Sequence, residues 1–183
     1  MPSYVNKIKN QYRLFYIRMS DVVSLIRRHV RWDTRSKTDV YPLVEDQEVR
    51  DELLDEAVRR IETDVDYVAG IETTGFVFGS FLAARLSTGF LPVRRRKKWP
   101  YGDSDLLSSS CNDYSGSDKT FAVREDAMAS GTVLLVDDWI ETGAQCECAK
   151  NLIRRLGGTV QEVFVLVDEV GDDDLVTSLA VLE

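Results

Sequence analysis

The segment Val133-Leu134-Leu135-Val136-Asp137-Asp138-Trp139-Ile140-Glu141-Thr142-Gly143-Ala144-Gln145 joins an apolar run to two adjacent carboxylates, then to a Thr-Gly turn that opens a helix. Backbone N–H groups, the Thr142 hydroxyl and the positive end of a helix are thereby gathered round one point, which suits a terminal phosphate. Ionised carboxylates only accept hydrogen bonds, so Asp137 and Asp138 suit sugar hydroxyls instead. A phosphate socket beside a diol socket describes a site for a ribose 5-phosphate group. An N-cap role for Thr142 explains one residue of the set. Receiver domains also open with an apolar strand and Asp-Asp, but they need several further βα units, and only 45 residues follow Asp138. Neither Gly-x-Gly-x-x-Gly nor Gly-Lys-Ser/Thr occurs.

A second turn, Gly70-Ile71-Glu72-Thr73-Thr74-Gly75-Phe76-Val77-Phe78-Gly79, brackets a strand-to-helix junction with glycines, so that its amides can face an anion. Helix capping accounts for this pattern equally well. A basic island, Arg94-Arg95-Arg96-Lys97-Lys98, follows a further apolar run; by itself it also describes a solvated loop.

The elements that must position these residues follow from periodicity. Ile8, Tyr12, Phe15, Met19, Val22, Ile26 and Val30 recur at steps of three and four, which predicts a helix from about Tyr4 to Arg31. Residues 33–39 break the period. Val49, Leu53, Ala57 and Ile61 mark a second helix, and 75–86 and 144–156 two more, the last ended by Gly157-Gly158. Residues 67–71, 90–93, 132–136 and 160–167 read as buried strands. Their near-continuous apolar character predicts an α/β fold with a doubly wound, mainly parallel sheet, and ligands in such a sheet bind beyond the carboxyl ends of the strands. Residues 101–119, rich in Gly, Ser and Asp, show no period and are expected to form an irregular functional segment.

Composition limits the function classes. The chain has 183 residues, 44% apolar and 30% charged, with a net charge of −8, which argues against general nucleic-acid affinity. The charge is divided: residues 1–37 hold nine Lys/Arg against Asp21 and Asp33, a net +7, which leaves −15 for the rest. This basic segment is expected to pack on the acidic remainder or on a second subunit, with a nucleic acid or phosphorylated partner and a membrane surface as the other readings. The expected division is a helical extension, 1–38, and a main domain, 39–183. No apolar run approaches the roughly 20 residues of a membrane span. Three cysteines, an odd number, make a poor disulfide framework and favour a reducing, cytoplasmic location.

In this order, the Asp-Asp…Thr-Gly signature, the Gly-Ile-Glu-x-x-Gly-Phe-x-Phe-Gly turn and the stretch Leu91-Pro92-Val93-Arg94-Arg95-Arg96-Lys97-Lys98-Trp99-Pro100 resemble the type I phosphoribosyltransferases, and among them the adenine group most. The likeness spans about Asp39 to Asp168. It implies an enzyme of purine salvage that moves the phosphoribosyl group of phosphoribosyl pyrophosphate (PRPP) to a purine or purine-like base and releases pyrophosphate. It implies that Asp137 and Asp138 hold the ribose hydroxyls and that Glu141, Thr142, Gly143, Ala144 and Gln145 wrap the 5-phosphate. Glu72, Thr73, Thr74 and Gly75, with Arg94 and Lys98, would face the pyrophosphate alongside Mg²⁺, which needs few protein ligands. It further implies a homodimer, and a lid over 101–119 carrying Asp113 and Tyr114 at the base. Glu141 stands where hypoxanthine/guanine enzymes carry an acid near the purine, so it reads as a general base or as a helix cap. Trp139 reads as a stacking platform for the base or as packing on the sheet.

Several positions depart from the family pattern. Thr74 replaces an arginine, Ala144-Gln145 replaces Gly-Thr, and Asp113-Tyr114 replaces Glu-Tyr. Lys37-Thr38-Asp39-Val40 lacks the aromatic and the arginine of the adenine-recognition segment. These departures support two alternatives: a PRPP-binding regulatory protein without turnover, and phosphoribosyl transfer to a specialised non-nucleobase acceptor.

Overall fold

The computed structural model describes residues 19–33, 37–112, 118–169 and 176–181. Contacts divide the chain into two compact units, Met1–Leu53 and Leu54–Glu183. In the first, helix α1 (Met19–His29) buries Val22, Leu25 and Ile26 on one face, the three-and-four spacing expected of it. The predicted helix thus ends two residues early, and its portion from about Tyr4 to 18 lies outside the described residues. His29 Nδ1 donates to the Leu25 carbonyl at 2.9 Å, a bond within the last turn. Strands β1 (Arg31–Asp33) and β2 (Lys37–Asp39) pair antiparallel, and α2 (Pro42–Glu45) follows. Helix α3 (Gln47–Arg60) crosses the division; Asp46 caps it, accepting from the N–H groups of Glu48 and Val49 at 2.8 and 3.2 Å.

The second unit is built on a seven-stranded sheet in the order β5-β6-β4-β3-β7-β8-β9. Its strands are β3 (Tyr67–Ile71), β4 (Gly89–Arg95), β5 (Leu106–Asn112), β6 (Asp118–Arg124), β7 (Gly131–Ile140), β8 (Gly158–Asp168) and β9 (Val176–Val181). β4, β3, β7, β8 and β9 are parallel, and the β5–β6 pair joins β4 antiparallel. Helices α4 (Thr74–Leu86) and α5 (Ala144–Arg155) cover opposite faces. Ala69, Ile71, Leu91, Val93, Val133, Leu135, Val163 and Val165 pack with Cys148, Ala149, Leu152 and Ile153 of α5. Positions of the other parity, Gly70, Phe90 and Val136, meet Gly79 of α4. The period of two along each strand therefore sets the layers, and the doubly wound expectation holds.

Two local expectations are corrected, and one strand is added. Within residues 101–119, positions 106–112 and 118–119 are not irregular: β5 and β6 run in register from Leu106↔Arg124 to Asn112↔Asp118, while 113–117 lie outside the described residues. The serines, read as part of an aperiodic segment, lie on a strand; Ser110 and Thr120 bond through their hydroxyls across it at 2.9 Å, and Arg155 of α5 donates to the Ser108 carbonyl at 2.6 Å. β7 does not stop at Val136 but continues through both aspartates to Ile140, because Asp137, Trp139 and Ile140 keep partners on β8. β9 has no counterpart in the sequence reading; Arg60 holds it, donating to the carbonyls of Ser178 and Leu179 while Glu56 neutralises the guanidinium. Among the described residues no helix is long and apolar enough to cross a membrane.

Candidate active site

At the carboxyl end of β3 the sheet pairing persists one residue past the strand, the Glu72 N–H donating to the Val93 carbonyl at 3.0 Å. The Glu72–Thr73 peptide is cis, and α4 begins at Thr74. The turn lies directly on β7 at Val136 and Asp137. A Cβ on Gly75 would stand 2.7 Å from the Val136 carbonyl oxygen and 3.1 Å from Asp137 Oδ1, so only glycine lets the helix start here.

β7 delivers the acidic doublet. Asp137 is buried, Asp138 half-buried, and the Asp138 N–H donates to Asp137 Oδ1 at 3.0 Å. Burial pushes the Asp137 carboxyl well above the ordinary carboxylate range, and the neighbouring Asp138 adds to the effect. The chain then turns through Glu141 and Thr142, both exposed, to Gly143. Gly143, not Thr142, is the residue that caps α5, and it does so with φ +72°. A Cβ there would meet nothing within 4 Å, so the glycine serves the backbone conformation and not a tight contact. The first residues of α5, whose N–H groups have no partner within the helix, line the same space as the doublet.

That space is a cavity of about 160 Å³. Its wall takes Glu72 and Thr73 from the first turn, Asp137 and Asp138 from β7, and the continuous run from Trp139 to Cys146. Of the residues picked from sequence, Thr74 and Gly75 are not part of the wall; they form the start of α4 behind it. Arg94 and Lys98 are not part of it either, but both reach Glu72, Lys98 Nζ at 2.6 Å and Arg94 Nε at 3.7 Å. Asp113 and Tyr114 lie outside the described residues. Ile140 and Cys146 line the cavity without having been singled out; as a strand end and a buried helix position, they carry no polar signal to mark them. Cys146 and Cys148 both face the core, and neither is disulfide-bonded.

The arrangement offers oxygen acceptors beside an amide-lined helix start, with a cationic pair at one side. No family model matches the chain. It is similar to the adenine phosphoribosyltransferase of Bordetella avium, 35% identical over 157 residues that cover 81% of this chain and 84% of that protein. The enzyme of the same name from Paraburkholderia xenovorans is 33% identical over 165 residues, covering 85% and 86%. The chain belongs to the adenine phosphoribosyltransferase family. Its fold agrees: the crystal structure of the Rhodothermus marinus adenine phosphoribosyltransferase superposes with a TM-score of 0.78 at 26% identity, covering 89% of this chain and 99% of that one. The type I phosphoribosyltransferase sheet expected from the motifs is the one observed.

Proposed function

We propose that the chain uses this cavity to bind PRPP and that adenine, the base in its relatives' names, is the first acceptor to test. Membership of the family makes it a PRPP-dependent phosphoribosyltransferase, a glycosyltransferase-class enzyme of purine salvage that joins the phosphoribosyl group to a purine base and releases pyrophosphate. The observation that supports the residue roles is the convergence of the β3–α4 turn, the Asp137-Asp138 doublet and the turn before α5 on one cavity. In this reading Asp137 and Asp138 accept from the ribose hydroxyls, and residues 141–145 enclose the 5-phosphate.

The base nitrogen attacks the anomeric carbon as the bond to pyrophosphate breaks. The sugar ring becomes cationic and the leaving group more anionic, so fixed charges and exact placement of the two partners lower the barrier. The buried doublet stands where positive character develops. Trp139 offers a flat apolar surface to the base, and Glu141 an acceptor for the proton that the base nitrogen loses. Asp113 and Tyr114 complete the base side in this reading.

Mg²⁺ fits the donor set: Asp137 and Asp138 provide hard carboxylate oxygens, and this ion takes one or two carboxylates together with substrate oxygens. When bound, it neutralises charge on the leaving pyrophosphate. A homodimer, a cytoplasmic location, and a separate extension over residues 1–38 belong to the same reading.

The test mixes purified protein and Mg²⁺-PRPP with adenine, hypoxanthine, guanine and xanthine in turn and follows pyrophosphate release. Base-dependent release with adenine is the expected result. Release with hypoxanthine or guanine alone would reassign the acceptor through Glu141. Calorimetric PRPP binding without release from any base would leave a sensor in place of an enzyme.

A further inference from the structure

The basic run is five residues long, but its members do different things. The Arg95 guanidinium lies over the Phe121 ring, 4.9 Å from its centroid, Arg96 pairs with Asp103, and Lys97 is exposed. Arg94 and Lys98 converge instead on Glu72. That side chain is only 6% exposed, and its two oxygens are divided. Oε1 takes Lys98 Nζ at 2.6 Å; Oε2 accepts the Arg95 backbone N–H at 2.8 Å, with Arg94 Nε 3.7 Å away. Trp99 adds to the same cluster. Its ring lies 5.7 Å from the Arg94 guanidinium, and its indole N–H donates to the Ala122 carbonyl of β6 at 3.0 Å.

A carboxylate cannot itself bind pyrophosphate; like charges at this range repel. Yet Glu72 lines the cavity, and a lysine stem is long and costly to order. We propose that Glu72 is a positioning residue, whose buried carboxylate holds Lys98 and Arg94 ready at the side of the cavity where pyrophosphate departs. The inference rests on the phosphoribosyl reading above and assigns Glu72 a role towards two cations, not towards the substrate. Two cations on one anion leave a net positive charge for the leaving group. Lys98 is 46% exposed, so it can swing from Glu72 to a phosphate oxygen without crossing the core. Thr74, which opens α4, adds no charge there.

The test uses the full chain and two ligands that occupy different halves of the site: inorganic pyrophosphate with Mg²⁺, and ribose 5-phosphate. Losing a charged hydrogen bond is worth roughly 10- to 150-fold, so Glu72→Gln should weaken pyrophosphate binding by at least about tenfold and lower kcat in step. Ribose 5-phosphate affinity should stay within about twofold, since phosphate contacts of the α5 cradle are untouched. Lys98→Gln should show the same split, Glu72→Asp should keep most of the pyrophosphate affinity, and the double variant should be no worse than the worse single one. Equal loss of both ligands would make Glu72 merely structural, tighter pyrophosphate binding would make it a competitor, and additive losses would uncouple the pair; each overturns the proposal. Should Glu72→Gln fail to fold, Lys98→Gln decides, because unchanged pyrophosphate binding in that variant is equally fatal. A wild-type chain that binds neither ligand would sink the phosphoribosyl reading, whereas a wild type that binds both, matched by Glu72→Gln, sinks only the role of Glu72.

Discussion

Asp137→Asn should make the ligand-free protein more stable and the enzyme worse. The carboxyl is buried within β7, and burial together with Asp138 raises its pKa. A raised carboxylate pKa means that ionisation costs the folded state more than the unfolded one. Stability is therefore lost as pH rises from the unfolded value, about 3.9, through the raised folded one. Asparagine keeps an acceptor for the Asp138 N–H, now 3.0 Å from Oδ1, and removes the charge. For a chain of this size each kcal/mol of relief raises Tm by about 2–4 °C. Binding moves the other way: a charged hydrogen bond to a ribose hydroxyl contributes about 1.5–3 kcal/mol, or roughly 10- to 150-fold in PRPP affinity. Thermal unfolding at pH 7.5 and pH 4, with calorimetry of PRPP in Mg²⁺ buffer, separates the two effects. The Tm advantage should shrink at the acid end, where the wild-type carboxyl is itself protonated. Wild-type PRPP affinity in the variant would remove Asp137 from the site, and a lower Tm at neutral pH would refute the argument from buried charge.

Other perturbations probe the supporting structure. Gly75→Ala forces a Cβ to within 2.7 Å of the Val136 carbonyl; overpacking of this kind costs about 1–3 kcal/mol, so Tm should fall together with PRPP affinity. An unchanged Tm would show that α4 can back away from β7. Trp139→Ala should raise KM for the base by roughly 5- to 150-fold, the worth of stacking one base on an aromatic ring, with Trp139→Phe recovering most of it. An unaltered KM would assign the indole to the protein's own packing. Burial, with the Cys148 sulfur beside it, pushes the Cys111 thiol up to about 11. The neutral thiol then prevails below that pH, so alkylation at pH 7.5 should be slower than for a free thiol by roughly two orders of magnitude and accelerate towards pH 10. Rapid labelling of Cys111 at neutral pH, read by peptide mass mapping, would contradict this environment.

The parallel core was legible because its strands are nearly continuous in Val, Leu, Ile and Phe, and because the helices between them keep the three-and-four spacing. The β5–β6 pair was not. Ser108, Ser109 and Ser110 have turn-like propensity, and only the facing residues 120–122 make them a strand. β9 was missed for the same reason: six residues of mixed character acquire strand identity from β8 alongside and from the Arg60 guanidinium.

The acidic doublet and the Thr-Gly turn could be placed from local order alone, since strand, turn and helix follow within one stretch of chain. The partnership of Glu72 with Arg94 and Lys98 could not. It exists because β3 and β4 run parallel with Ile71 opposite Val93, which sets Glu72, the first residue past β3, beside Arg94 of β4. Residue types decided which groups could accept, donate or carry charge, and short-range periodicity decided where helices and strands begin. Sheet register, a product of long-range packing between segments distant in sequence, decided which charges meet and which carboxylate is taken out of water.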